Sequence, residues 1–176
     1  KDQLQHLEIT RDVAIKFNNK YGETLVIPDA LTNDETKYVI GTNGQKMSKS
    51  KNNIIDIFLE DKMLKKQIMS IETDSTPLES PKQAETCNVF KIFSLIASPD
   101  QVKNLKTSYE NGGFGYGHAK QELYELIIKK FQTEREKYNY LMSNKKEIDL
   151  ILNEGANKAT KTAHEVMNRV RKKLGY

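Results

Sequence analysis

Beyond the proline pair Pro77 and Pro81, this chain offers only helical periodicity, and that limits what it can fold into. Helices are predicted over about 87–97, 99–110, 117–134, 136–141, 145–153 and 157–174. Pro99 falls in the first turn of its helix, where a missing N–H is harmless. Asn111-Gly112-Gly113 ends that helix, and Gly155 is expected to break or bend the penultimate one. Ahead of the prolines the pattern is mixed. Leu7, Arg11, Ala14 and Phe17 share one face of a helix from about Gln3 to Tyr21, stopped by Gly22. Leu25-Val26-Ile27 is a short apolar run ended by Pro28. Lys37-Tyr38-Val39-Ile40 reads as a short buried strand. Asn53 is placed to cap the turn of Ile54–Leu59, and Asp61 opens a helix through Met63, Leu64, Ile68 and Met69. Strand and helix alternating at the front, then helices alone, argue for an α/β remnant joined to an all-α bundle, mostly helical overall. The stretch from Thr73 to Gln83 is the boundary, dividing 1–72 from 73–176.

Composition fits a soluble globular protein: 176 residues, 37% hydrophobic and 30% charged. No apolar run of about 18 residues exists, so no membrane span is expected, and residues 1–16 hold no apolar signal core. The single cysteine, Cys87, excludes an internal disulfide or a multi-cysteine zinc site and fits a reducing, cytoplasmic setting. It leads the apolar run from Val89 to Ile96 and is expected in the core. Net charge is +4, unevenly placed: residues 129–173 hold twelve Lys/Arg against six Asp/Glu. That basic third suits an anionic partner, RNA foremost, or is simply a solvated helix face.

The densest chemical signal is Lys46-Met47-Ser48-Lys49-Ser50, preceded by Gly41, Thr42, Asn43 and Gly44. Two lysines three apart, flanked by two hydroxyls and approached through glycines, suit a loop that grips polyphosphate. From average residue usage the five-letter string is expected by accident on the order of once in ten thousand such chains. It is identical to the ATP-loop signature of the class I aminoacyl-tRNA synthetases.

Other stretches carry the resemblance further. Asp2-Gln3-Leu4-Gln5-His6, followed by Thr10-Arg11-Asp12, resembles the DQxQH…RD segment of the bacterial tryptophanyl-tRNA synthetases. Thr73-Asp74-Ser75 resembles their TDS, Tyr116–Lys120 their YGxxK element, and Gly155–Ala159 their GAxKA. These elements stand in the family's order and at about its spacing across nearly the whole chain. The resemblance implies that 1–72 is the end of a Rossmann-like nucleotide fold bearing the lysine loop, and that 73–176 is the helical domain that meets the tRNA anticodon. It also implies a homodimer that activates tryptophan with Mg-ATP and transfers it to tRNA.

Carried over by position, Asp2 meets the ATP ribose, Lys1 lines the ATP site, and Val39 and Met47 offer backbone groups to adenine. Gln3 meets the tryptophan ammonium or carboxylate. Ser48 and Ser50 complete the ATP loop, and Lys46 and Lys49 follow the β- and γ-phosphates to pyrophosphate. No protein metal cage is implied, because magnesium rides on the ATP phosphates. The family's HIGH-type turn is not matched by His6, His118 or His164. The resemblance therefore reads the chain as the C-terminal half, expected to be inactive alone.

Blander readings stand beside these. His6 and His164 read as a structural and a surface histidine, and glycines 112, 113, 115 and 117 as spacers that let two helices meet. Tyr109, Tyr116, Tyr124, Tyr138 and Tyr140 either stack RNA bases or pack half-buried. Asp56, Glu60 and Asp61 could suggest a metal site. A non-catalytic RNA-binding module and a tyrosine-specific relative remain open alternatives.

Overall fold

The computed structural model describes residues 3–31 and 39–176. Seven α-helices follow in order: α1 (Leu4–Tyr21), α2 (Asp61–Met69), α3 (Asn88–Ser94), α4 (Pro99–Asn111), α5 (Tyr116–Lys130), α6 (Gln132–Ser143) and α7 (Lys145–Leu174). Among the described residues no strand forms. An isolated antiparallel bridge joins Ile40 to Lys46. The strand expected at residues 37–40 lies half outside the described residues, at Lys37 and Tyr38.

The chain divides into two compact units, one drawn from 1–34 and 141–176, the other from 35–140. In the second unit α2 packs chiefly on α5, and α3 packs on both α4 and α5. Leu64 and Ile68 of α2, Val89, Phe90, Ile92 and Phe93 of α3, Leu105 and Tyr109 of α4, and Ala119, Leu123 and Ile127 of α5 form one buried cluster. The i, i+4 repeat 119, 123, 127 puts one face of α5 at its centre. Cys87 is buried in the same cluster, its Sγ 3.5 Å from the Tyr109 hydroxyl. Burial drives the Tyr109 hydroxyl far above its ordinary pKa. α4 begins with a complete capping box: the Ser98 side chain accepts from the Gln101 N–H, and the Gln101 side chain accepts from the Ser98 N–H.

The first unit holds α1 and α7. α1 stops at Gly22, whose φ of 83° and N–H donated to the Asn18 carbonyl close the helix. The Asn18 side chain accepts from the N–H groups of Thr24 and Leu25 and donates to the Leu25 carbonyl, turning the chain back. Arg11 donates to the Pro28 carbonyl at 2.8 Å and pairs with Asp29.

Several expectations are corrected. α7 runs unbroken through Gly155, where an added Cβ would meet nothing. A lone glycine costs about 1 kcal/mol, too little to stop a helix of this length. The helix predicted over 117–134 is two helices, parted at Phe131. Its φ of −106° and ψ of 21° leave the helical region while its ring packs against the core. Within Ile54–Leu59 a turn forms only at residues 57–59, where Leu59 N–H donates to the Asp56 carbonyl, and Asn53 does not cap it: its side chain bonds back to Asn43, Lys46 and Ser48. The glycines after α4 do not bring two helices together. Gly112, with φ of 72°, lies so close to the 79–81 backbone that a Cβ would stand 2.3 Å from the Glu79 carbonyl oxygen.

Candidate functional site

The lysine loop hangs on Asn53, which is 2% exposed. The Asn53 Oδ1 accepts the Ser48 N–H at 2.8 Å. Its Nδ2 donates to the Lys46 carbonyl at 3.1 Å and to Asn43 Oδ1 at 2.7 Å. Its own carbonyl accepts the Thr42 N–H. One carboxamide thus satisfies the two peptides flanking Met47, in place of a regular ladder. The chain makes room for it with glycine. A Cβ at Gly41 would stand 2.2 Å from the Asn53 backbone carbonyl oxygen and 2.5 Å from its Cγ; elsewhere in the loop, one at Gly44, where φ is 73°, would stand 2.7 Å from Asn88 Oδ1. Outer ties join the loop to the rest of its unit: Glu72 N–H donates to the Thr42 carbonyl, and Asn88 Nδ2 to the Glu72 carbonyl.

Around this knot the candidate residues fall on one continuous loop. The Met47 N–H donates to the Val39 carbonyl at 2.9 Å, so these two backbone positions are direct neighbours. Lys46 and Lys49 are exposed, while Met47 and Ser48 are partly buried. A single 3-10 turn, Lys49–Lys51, follows, closed by Asn52 at φ of 50°. The hydroxyls of Ser48 and Ser50 lie 2.8 Å apart, and Lys51 Nζ donates to the Gln45 side chain. Solvent-facing lysines and hydroxyls on a backbone fixed from inside can present positive charge and small donors to an anion. Gln3, exposed at the start of α1, belongs to the other compact unit. Lys1 and Asp2 lie outside the described residues.

Two of the motif elements meet. The Tyr116 hydroxyl donates to Asp74 Oδ1 at 2.7 Å, and the Thr76 N–H donates to the same oxygen. These bonds, those from Thr76 first, hold the Asp74 carboxyl below its ordinary range. Burial, then the bond to Asp74, pushes the Tyr116 hydroxyl up to about 12. Lys120 Nζ reaches the Met69 carbonyl at 3.0 Å. The TDS and YGxxK stretches are therefore a clasp that ties the connector after α2 to α5.

Sequence reading missed Lys82, which is buried at 4% exposure. Its Nζ donates to the carbonyls of Pro77, Leu78 and Ser80 and sits over the Tyr116 ring. Prolines with a lysine close behind them were the available signal, since a proline-bent turn leaves carbonyls for a cation to collect. Asp56 and Asp61 are engaged in structure: Asp56 accepts from the Phe58 N–H, and Asp61 pairs with Arg135. Tyr109 is buried, Tyr116 and Tyr124 pack half-buried on the core, and Tyr138 stacks on Phe58 with ring centres 4.6 Å apart. His6, His118 and His164 are exposed.

The family described as tRNA synthetases class I (W and Y) matches residues 1–132. The tryptophan–tRNA ligase of Campylobacter jejuni is 51% identical over 175 residues, 99% of this chain and 55% of that protein. The Fusobacterium nucleatum ligase is 48% identical, over 99% of this chain and 54% of its own length. Among solved structures, the Campylobacter jejuni tryptophanyl-tRNA synthetase complexed with ADP and tryptophan superposes with a TM-score of 0.88 at 50% identity. It covers 100% of this chain and 55% of that one. The chain thus spans about half the length of the curated relatives it matches. With the signature lysine loop, the TDS–YGxxK clasp and a family match over three quarters of its length, the chain belongs to the class I tRNA synthetases of the tryptophan and tyrosine branch.

Proposed function

We propose that the full-length protein carrying this chain is a tryptophan–tRNA ligase. The supporting observation is the lysine loop: Lys46 and Lys49 project from a backbone fixed by Asn53, in a chain 51% identical to such a ligase. In this reading a tryptophan carboxylate oxygen attacks the α-phosphorus of ATP, and the bond to the bridging oxygen breaks. Pyrophosphate leaves, and the adenylate then gives its tryptophanyl group to tRNA. Lys46 and Lys49 meet the charge that builds on the leaving group, where fixed positive charge lowers the barrier most. No side chain need take a proton, because the attacking carboxylate is already ionised. Catalysis is positioning and electrostatics.

Ser48 and Ser50 add small donors to the phosphates. The backbone at Val39 and Met47, adjacent in the structure, faces the adenine. Lys1 and Asp2 complete the ATP site, Asp2 at the ribose, and Gln3 holds the tryptophan ammonium or carboxylate. Magnesium arrives on the ATP. Residues 1–72 are the end of the Rossmann-like catalytic domain, and the basic helices within 73–176 meet the tRNA anticodon arm. The protein acts as a cytoplasmic homodimer. That a Campylobacter jejuni relative is solved with ADP and tryptophan supports both small-molecule substrates.

Amino-acid-dependent ATP–pyrophosphate exchange by the full-length protein tests this reading. Exchange driven by tryptophan and not by tyrosine is expected. Exchange driven by tyrosine, or none with either, overturns it.

A further inference from the structure

The loop that carries Lys46 and Lys49 has almost no regular structure to define it: one bridge, one 3-10 turn and no strand among the described residues. What fixes its path is a side chain. Asn53 is as buried as the helical core, and both ends of its carboxamide are used. Its Oδ1 takes the Ser48 N–H and its Nδ2 gives to the Lys46 carbonyl, so it grips the peptides on either side of Met47. Asn43 supports the same Nδ2 from the far side. Gly41 is pressed so closely on Asn53 that no side chain fits between them. The lysines face outward while the amide stays inside, so the group that sets the loop and the groups that meet the ligand are separate residues.

We propose that Asn53 is a positioning residue for the lysine loop: through the Lys46 carbonyl and the Ser48 N–H it sets the direction in which Lys46 and Lys49 leave the backbone, while itself touching no substrate. This rests on the ligase reading above. An asparagine is suited to the task because one planar group both donates and accepts. Asn53→Ala leaves the partly buried Lys46 carbonyl and Ser48 N–H unmatched, and Asn53→Asp, of the same shape, keeps the acceptor for Ser48 while losing the donor for Lys46.

The experiment uses the full-length protein and its Asn53→Ala, Asn53→Asp and Asn43→Ala variants. Tryptophan-dependent pyrophosphate exchange is measured per titrated active site, alongside amide hydrogen exchange at Ser48. Asn53→Ala and Asn53→Asp are expected to lower kcat about tenfold or more and to leave KM for tryptophan within about twofold. Asn43→Ala, which spares both loop contacts, is expected to lower kcat less than about threefold. The Ser48 amide is expected to lose about tenfold or more of its protection in Asn53→Ala. A residue that only stabilised the fold would lower the active fraction and the melting temperature with kcat per site unchanged, and that result overturns the proposal. If the wild-type protein shows no exchange with tryptophan, the ligase reading fails, and the Ser48 amide decides the positioning claim by itself: undiminished protection in Asn53→Ala overturns it. If Asn53→Ala does not fold, Asn53→Asp is judged by the same two readouts.

Discussion

The two compact units of this chain use the same helical alphabet to opposite ends. In the 35–140 unit, every helix from α2 to α5 turns its apolar stripe onto its neighbours, and Leu64, Ile68, Val89, Tyr109, Ala119 and Leu123 are sealed from solvent. In the unit of 1–34 and 141–176, Ala14 and Thr24 are the buried residues among those described. Several large apolar residues of α1 and α7 stay open: Val13 is 58% exposed and Leu150 70%. Periodicity predicts a helix equally well in both. It does not say whether the helix has found a partner, and only burial of the stripe converts the pattern into stability. The lysine loop sits on the unit with the core.

The largest expected contrast between the units is in core truncation. Tyr109→Ala is expected to cost the 35–140 unit about 3–5 kcal/mol, as for other large buried rings, whereas Leu150→Ala on α7 should cost less than about 0.5 kcal/mol. Denaturant unfolding measures both, and equal losses would erase the distinction. Next comes Lys82→Met, which keeps the stem but removes the ammonium; the Pro77 and Leu78 carbonyls keep the N–H groups of Ser80 and Gly113, and the Ser80 carbonyl loses its donor. A loss of about 1–3 kcal/mol is expected, and an unchanged midpoint would show that the backbone donors and water suffice without the ammonium.

Smaller again is the clasp. Tyr116→Phe removes one partly exposed hydrogen bond and should cost about 1 kcal/mol or less. Its pH dependence has a definite sign. Asp74 is held below the ordinary carboxylate range, so its contribution is present above that range and fades as pH falls through the depressed value. Tyr116, raised to about 12, holds its proton throughout that window and loses it only as pH rises through that value. The melting-temperature gap between wild type and Asp74→Asn should therefore be steady at neutral pH and close in acid. A gap that widened in acid would show that the carboxylate is not what the clasp uses. Smallest is Gly155→Ala, expected to stabilise α7 by about 0.5–1 kcal/mol, seen as increased helicity on thermal melting.

Much of this was legible in the sequence where local rules decide. α1 and its stop at Gly22, α2 from Asp61, and α4 between Pro99 and Asn111 follow from caps, prolines and spacing. The burial of Cys87 followed from its place at the head of an apolar run. What was not legible depends on contacts distant in sequence or on competing local uses of one residue. Asn53 before an apolar stretch looks like a cap, but its side chain turns back to the loop it follows, because that loop has no ladder to satisfy its peptides. The parting of α5 from α6 carries no glycine or proline. It comes where Phe131 turns onto the core and Arg135 reaches the Ile57 carbonyl and Asp61. The continuity of α7 through Gly155 reflects the length of helix on either side, which a single-residue signal does not weigh. Within the candidate site, the five-letter loop was readable outright, while the residue that holds it was not.

Lys49→Ala in the full-length protein is the most direct test of the function assigned to that loop. Single-turnover formation of the adenylate should slow about a hundredfold or more, with the tryptophan dissociation constant changed less than about twofold. A variant that forms adenylate at the wild-type rate, or one that loses tryptophan binding as heavily as rate, would contradict a role for the lysine loop in stabilising charge on the departing pyrophosphate.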